Sequence, residues 1–384
     1  MLFRSIIQAS KNPDMWTPEL YTQMARLSVP GASVATFTAA GDVRRGLAAA
    51  GFEVTKARGF AHKRDMLTGR YAARVPALPA LRRQAPKKIA IVGGGLAGTA
   101  CARVFRDYGL TPVLYESENR VATQASGNLR GLYNPRLSAF RSPESDFYAA
   151  AFALTARTMN FAGDVGHNPC GALHLITDED RRKKLTRTVD HWGWGEHMSL
   201  VDPAQASDIA GVSVSYSALY LPDAGYVCPP ALCASLADGI ESRFDQPVAD
   251  INKLDADAVI FCNGVQSMDF VPDLKLHTVR GQVTLANSTE HSARLKANLC
   301  YGGYAAPAVD GVHVVGASFQ RWLSHTDLMA EDDRDNLDKL ARAVPLFTGL
   351  TIQGARASLR CSSHDRFPVI GQVDDRIFVS AAHG

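Results

Sequence analysis

The stretch Lys88-Ile-Ala-Ile-Val-Gly-Gly-Gly-Leu-Ala-Gly-Thr99 decides how this chain is read. Ile89 to Val92 is a short apolar run of the kind found in a buried parallel strand. Gly93, Gly95 and Gly98 follow at the G-x-G-x-x-G spacing, and Leu96 to Asp107 continues with helical periodicity. Each glycine has its own task. Gly93 permits the tight turn, Gly95 lets backbone approach a pyrophosphate, and Gly98 allows close packing of helix on strand. The N–H groups where the helix begins, at Leu96 and Ala97, then face the anion. A second strand, Pro112 to Tyr115, ends in Glu116, placed to accept hydrogen bonds from a ribose. Glycine-rich turns alone are common. Here the strand before, the helix after and the acid beyond a second strand all agree on a dinucleotide site.

A length of 384 residues allows two or three domains with ample core. There is no low-complexity tract and no obvious repeat. No apolar run approaches the length of a membrane span, and the opening Met1 to Ile7 is too short for a signal peptide. Neither reading gives the protein a membrane partner. The seven cysteines are scattered without a C-x-x-C pair, which argues against zinc or another metal and for reduced thiols in a cytoplasmic protein. The net charge of +3 conceals an asymmetry: residues 56–88 carry ten Lys or Arg against Asp65 alone, while the rest of the chain is net acidic. Such a belt is the footprint of a polyanionic partner or a solvated linker, and charge alone does not choose between them.

Read in order, residues 1–75 form a small α/β piece. It has a helix from Thr17 (N-cap) to Leu27, a strand at Ser33 to Phe37, a short helix at Val43 to Ala50 and a strand at Phe52 to Ala57. Lys63 to Tyr71 adds a further strand. No glycine-rich strand–turn–helix precedes these elements, so the piece reads as the last third of a domain. Residues 76–87 are a basic Pro/Ala linker. The nucleotide-binding fold occupies 88–384. Its cofactor-binding parts fall at about 88–165, 228–265 and 355–384, and an inserted antiparallel layer at about 166–227 and 266–354. Asp257 to Gly264 reads as a buried strand returning to the dinucleotide sheet. Val279 to Thr284, Cys300 to Tyr304 and Val312 to Ser318 read as strands of the insertion. The last strand, Ile377 to Ser380, has no covering helix after it, so the C-terminus reads as cut.

These blocks resemble the glycine and D-amino-acid oxidase type of FAD enzyme. The resemblance rests on Gly93 to Gly98 with Glu116, the loop Ala125-Ser-Gly-Asn128 and the strand ending Cys262-Asn-Gly264. Val279-Arg-Gly-Gln282 and the ending Arg360 … Asp365-Arg-Phe-Pro-Val-Ile-Gly371 extend it. It implies FAD, held by Gly93, Gly95, Leu96, Ala97, Gly98, Glu116, Ser126, Gly127, Asn128 and Gly264. A narrower likeness covers most of the chain from Lys11. Lys11-Asn-Pro-Asp-Met-Trp-Thr17, Ala35 to Gly41, Val43 to Gly46 and Lys63 to Gly69 resemble the end of a methyltransferase half. Gly225-Tyr-Val-Cys-Pro229, Cys300 to Tyr304 and Gly316-Ala-Ser318 resemble the oxidase half of the same bifunctional tRNA-modifying family.

The resemblance thus implies an α/β fold: an FAD-binding doubly wound parallel sheet with an inserted antiparallel substrate layer. The C-terminal part of a Rossmann-like methyltransferase precedes it. The implied partner is tRNA, met through backbone phosphates. The implied reaction removes the carboxymethyl group of wobble carboxymethylaminomethyl-(2-thio)uridine. S-adenosyl-L-methionine serves the family's other half. Its glycine-rich loop and a later Asp-Gly-Phe segment do not occur here, so methyl transfer is not expected of this polypeptide. A substrate carboxylate calls for arginine or tyrosine, which selects Arg280, Tyr226, Tyr304 and Arg360. His174 and His313 read as satisfied core histidines; Arg130 and Arg136 face flavin phosphates or solvent. Two rival readings are an oxidase of free glycine-like or D-amino acids and a non-catalytic tRNA-binding fragment.

Overall fold

The computed structural model describes residues 16–59, 64–72, 86–136, 138–159 and 163–383. The chain divides into two compact units, residues 1–85 and 86–384. In the smaller unit the helix Pro18–Arg26 starts where the sequence places it. Pro18 lies in its first turn, and the Thr17 hydroxyl accepts the Leu20 N–H at 3.3 Å. The strands Ser33–Thr36, Asp65–Tyr71 and Phe52–Arg58 form an antiparallel sheet in that spatial order. Tyr21, Val43, Leu47, Phe52 and Leu67 fill the core beneath it. Of the basic belt, Lys63, Arg74, Arg82 and Arg83 lie outside the described residues.

The larger unit contains two main sheets. The first runs in the order Glu241–Arg243, Thr111–Tyr115, Lys88–Val92, Ala258–Phe261, Ile377–Ala381, Val369–Gln372, with only the last pair antiparallel. Ala258–Phe261 returns to this sheet as its sequence implies, pairing in parallel with Ile89 to Val92. Both faces are covered, which is why its strands read as unbroken apolar runs. Ile91, Leu114 and Ala102 pack on one side; Val92, Phe261 and Val379 pack on the other.

The second sheet has eight strands, in the order Ile352–Ser363, Leu276–Asn287, Val312–Gly316, Tyr304–Ala305, Asn298–Cys300, Ala172–Leu175, Ala218–Leu221, Ser199–Val201. Leu173, Leu175, Ala286 and Val315 turn one face toward the helices Pro203–Ala210 and Ala330–Ala343. On the other face Ala172, Leu219 and Leu221 meet Trp192 of the helix Glu179–Trp192.

Two expectations change. Cys300 to Tyr304 is not one strand but a tight hairpin, with Cys300 and Tyr304 paired across a Gly302-Gly303 turn. Two adjacent glycines favour reversal over extension. The expected cofactor-binding part at 355–384 is not all parallel sheet, because Ile352–Ser363 pairs along Leu276–Asn287 as an edge strand of the eight-stranded sheet. The chain rejoins the parallel sheet only at Val369–Gln372.

Candidate active site

The glycine turn sits at the carboxyl end of the central strand of the parallel sheet, where ligands bind in open α/β sheets. Gly93 has φ +107°, and a Cβ there would lie 2.9 Å from the Asn263 backbone, so only glycine fits. A Cβ on Gly98 would fall 1.8 Å from the Gly93 carbonyl oxygen, which is how closely helix and turn approach. Gly95 is the N-cap of the helix Leu96–Asp107 and supplies no side-chain cap. Ser126 takes that part from a different loop: its Oγ accepts the Leu96 N–H at 3.0 Å. The remaining first-turn N–H groups and the helix dipole favour an anion.

Glu116 is buried at the end of the neighbouring strand. Its Oε2 accepts the Gly94 N–H at 2.6 Å, and its Oε1 accepts the Glu118 N–H and the Ser117 hydroxyl at 3.0 Å. Those bonds fix the carboxylate while leaving lone pairs for hydroxyl donors. A cavity of about 580 Å³ opens between these groups; Gly93, Gly95, Glu116, Ser126, Asn263 and Gly264 are among its lining. That volume suits a cofactor site.

Leu96, Ala97, Gly98, Gly127 and Asn128 do not line the cavity. Gly98 and Leu96 shape the helix start. Gly127 and Asn128 belong to an arrangement that has no local sequence signal. Arg356, on Ile352–Ser363, donates to Asn128 Oδ1 at 3.0 Å, to the Thr123 carbonyl at 2.7 Å and to the Gln124 carbonyl. A Cβ on Gly127 would meet this guanidinium at 2.3 Å. The small-residue loop is therefore shaped by an arginine more than 200 residues away in sequence. Burial lowers the Arg356 pKa, with Arg120 adding to the effect.

The four substrate candidates do not converge. Arg280 is fully buried, and its guanidinium donates to Asp332, to Gln320 Oε1 at 2.6 Å and to Gln282 Oε1 at 2.8 Å, with the Asp327 carbonyl taking a further bond. This corrects its assignment as a pocket arginine. Strand alternation explains the error: Arg280 is registered with Leu359, whereas Arg360 is registered with Val279, so the two arginines project from opposite faces. Tyr226 is buried on the two-stranded sheet Gly225–Val227/Gly131–Tyr133, its hydroxyl accepting from Asn168 Nδ2 at 3.2 Å.

Tyr304 and Arg360 do share a face of the sheet. Cross-strand register puts them on one face, and burial pushes the Tyr304 phenol up to about 12 against the opposing pull of the Arg360 charge. Arg360 itself is exposed.

The remaining candidates divide. His313 is satisfied in the core by the Ala306 carbonyl at 2.9 Å and Ser292 Oγ at 3.1 Å. His174 is not: its buried Nε2 has no hydrogen-bond partner among the described residues. Arg130 stacks on the Tyr226 ring, and Arg136 binds the Arg366 carbonyl at 3.0 Å; neither lines the cavity.

Residues 88–384 match the family model for FAD dependent oxidoreductases, and the chain belongs to that family. Residues 7–72 match a model for S-adenosyl-L-methionine-dependent methyltransferases. Two curated relatives are named as bifunctional proteins. The tRNA 5-methylaminomethyl-2-thiouridine biosynthesis bifunctional protein MnmC of Methylobacillus flagellatus is 35% identical over 97% of this chain and 60% of its own length. The protein of that name from Nitrosospira multiformis is 34% identical over 98% of this chain and 66% of its own. The chain thus spans about two thirds or less of the length of these relatives. Among solved structures, glycine oxidase from Bacillus cereus superposes with a TM-score of 0.68 at 20% identity, covering 77% of this chain and 89% of that one. Iminodiacetate oxidase from Chelativorans superposes with a TM-score of 0.65 at 17% identity, covering 77% and 90%. FAD is the cofactor of the family, and the cradle of Gly93, Gly98, Ser126 and the fixed Glu116 carboxylate fits a dinucleotide.

Proposed function

We propose that this chain carries the oxidising step of wobble-uridine modification in tRNA: removal of the carboxymethyl group from carboxymethylaminomethyl-(2-thio)uridine, leaving aminomethyluridine. The observation that carries this reading is order. A methyltransferase-like segment, an Arg/Lys-rich stretch and an FAD dependent oxidoreductase follow one another here, in continuous similarity to bifunctional tRNA-modifying relatives across 97% of the chain. Those relatives are named as bifunctional, and methylation of the freed amine from S-adenosyl-L-methionine belongs to the same proposal. The substrate brings a cytoplasmic setting with it.

Gly93, Gly95, Glu116, Ser126 and Gly264 would hold FAD, with Leu96, Ala97 and Gly98 forming the helix start and Arg356 bracing the loop at Gly127 and Asn128. Bound there, FAD would supply hydride-accepting chemistry toward the carbon between the amine and the carboxylate. The protein's part is placement and charge. Arg360 pairs with the substrate carboxylate, and the Tyr304 hydroxyl, protonated throughout the physiological range, donates to it. Water then splits the oxidised C–N bond, releasing glyoxylate and the free amine.

The test uses the FAD-loaded chain with tRNA bearing the carboxymethylaminomethyl group, read by mass spectrometry of the digested nucleosides. Conversion to aminomethyluridine with one glyoxylate per nucleoside is expected. Turnover of free glycine or sarcosine with tRNA untouched would replace this reading by that of a free amino-acid oxidase.

A further inference from the structure

We propose that the small cavity between the helix Glu179–Trp192 and the eight-stranded sheet is a binding site for one phosphate group, held by Arg181, His174 and Lys184. The cavity measures about 150 Å³, and no acidic side chain is among its lining residues. Leu185 and Leu219 supply apolar walls.

The donors are built in. Arg181 Nε and His174 Nε2 are both buried with no hydrogen-bond partner among the described residues. Native proteins seldom leave such groups unmatched, because each loses its hydration and gains nothing in return. The guanidinium is anchored by a bond from Nη2 to the Cys300 carbonyl at 3.2 Å, which leaves its Nε–H to donate to an oxyanion. Asp178 caps the helix through the Arg181 N–H at 2.8 Å. Lys184 follows Arg181 by one helical turn, on the same face, and reaches the cavity from its exposed side. Burial first, and the Arg181 charge second, hold His174 down to about 4, so its ring is neutral at working pH and has one N–H to donate.

The position of the cavity gives it meaning. His174 pairs with Cys300, and Cys300 with Tyr304, so His174 and Tyr304 stand in one cross-strand row on one face. Two strand spacings separate them, roughly 10 Å. One nucleotide spans such a gap between its base substituent and its phosphate. A phosphodiester as the source rests on the tRNA reading above; the site itself rests on the cavity and its donors alone.

The FAD-loaded protein is titrated with inorganic phosphate at constant ionic strength, with thermal stability as the readout. An anticodon stem-loop RNA then competes. A saturable rise in Tm is expected, abolished in Arg181→Gln and at least fivefold weaker in Lys184→Gln, whose exposed side chain is not needed for folding. If the RNA displaces phosphate, and the salt slope of RNA binding falls by about one in Arg181→Gln, the source is the nucleic-acid backbone. Saturable phosphate binding without RNA competition keeps the site and assigns it to a free phosphate compound. Phosphate without effect on the parent protein, or equal effects on parent and both variants, overturns the proposal. Failure of tRNA oxidation leaves the phosphate titration unaffected, so the two readings fail separately.

Discussion

Arg280 and Asp332 form an ion pair across the junction of the strand Leu276–Asn287 and the helix Ala330–Ala343, with side chains 0% and 6% exposed. Gln320, Gln282 and the Asp327 carbonyl take further bonds from the guanidinium, and Thr284, Asp333 and Asn336 continue the polar seam. Removing one member of a buried pair strands the other charge. Asp332→Ala is therefore expected to lower unfolding stability by about 3–5 kcal/mol, while FAD affinity changes less than twofold. Urea denaturation and flavin-fluorescence titration on the same preparations check both. A variant of unchanged stability that loses substrate turnover would return Arg280 to the active site.

The Gly98 contact sets a second outcome. Gly98→Ala forces a methyl into the Gly93 carbonyl, so helix and turn separate and FAD affinity is expected to fall at least tenfold. Gly371, whose Cβ would meet nothing within 4 Å, is the control: Gly371→Ala stays within about 0.5 kcal/mol of the parent. Equal behaviour of the two variants in a flavin titration would remove the close-packing argument.

Arg356 is expected to act on FAD through the loop at 123–128. Arg356→Ala releases two carbonyls and the Asn128 side chain, and a loss of about 1–3 kcal/mol in FAD binding follows. Arg356→Lys recovers only part of it, since an ammonium does not reproduce the fork. Limited proteolysis with and without FAD would report the loosened loop directly.

His174 sets a pH dependence. Its pKa in the folded protein lies near 4, below the ordinary value of 6.5, so the unfolded chain binds the extra proton between those limits. Stability is complete above about pH 6.5 and falls as pH drops through 4, by roughly 3 kcal/mol in all. In phosphate-free buffer, His174→Gln is expected to flatten that segment of the stability curve. A parallel curve for the variant would show that the ring does not titrate in this window.

Tyr304 is expected to stay protonated in any practical assay, because its phenol is pushed up to about 12. Tyr304→Phe should raise KM for the amine substrate about tenfold, the loss of roughly one charge-assisted hydrogen bond, and leave the shape of the pH–rate profile between 7 and 10 unchanged. Loss of a basic limb in the variant would instead make Tyr304 a titrating group.

The nucleotide-binding half was legible because its signals are local. A strand, a turn requiring glycine and a helix within Lys88 to Asp107 carry their own geometry, and Glu116 ends the next strand. The helix Pro18–Arg26 and its Thr17 cap were readable for the same reason. Arg356 escaped notice because its partners at Thr123, Gln124 and Asn128 are distant in sequence and lack any spacing rule. His174 and His313 look alike in their strands, yet one is hydrogen-bonded on both nitrogens and the other has a bare Nε2; what lies opposite each is a matter of packing.

By itself, then, the sequence determined the class of fold and the cofactor loop, since backbone conformation there depends on neighbours a few residues apart. Only the tertiary structure decided which arginine is buried and which faces solvent. Arg280 and Arg360 lie on paired strands, and a register that sets them on opposite faces buries one against Asp332 and leaves the other exposed on the face that carries Tyr304. Side-chain direction in a sheet alternates residue by residue, so a role of this kind depends on a pairing that no single strand encodes.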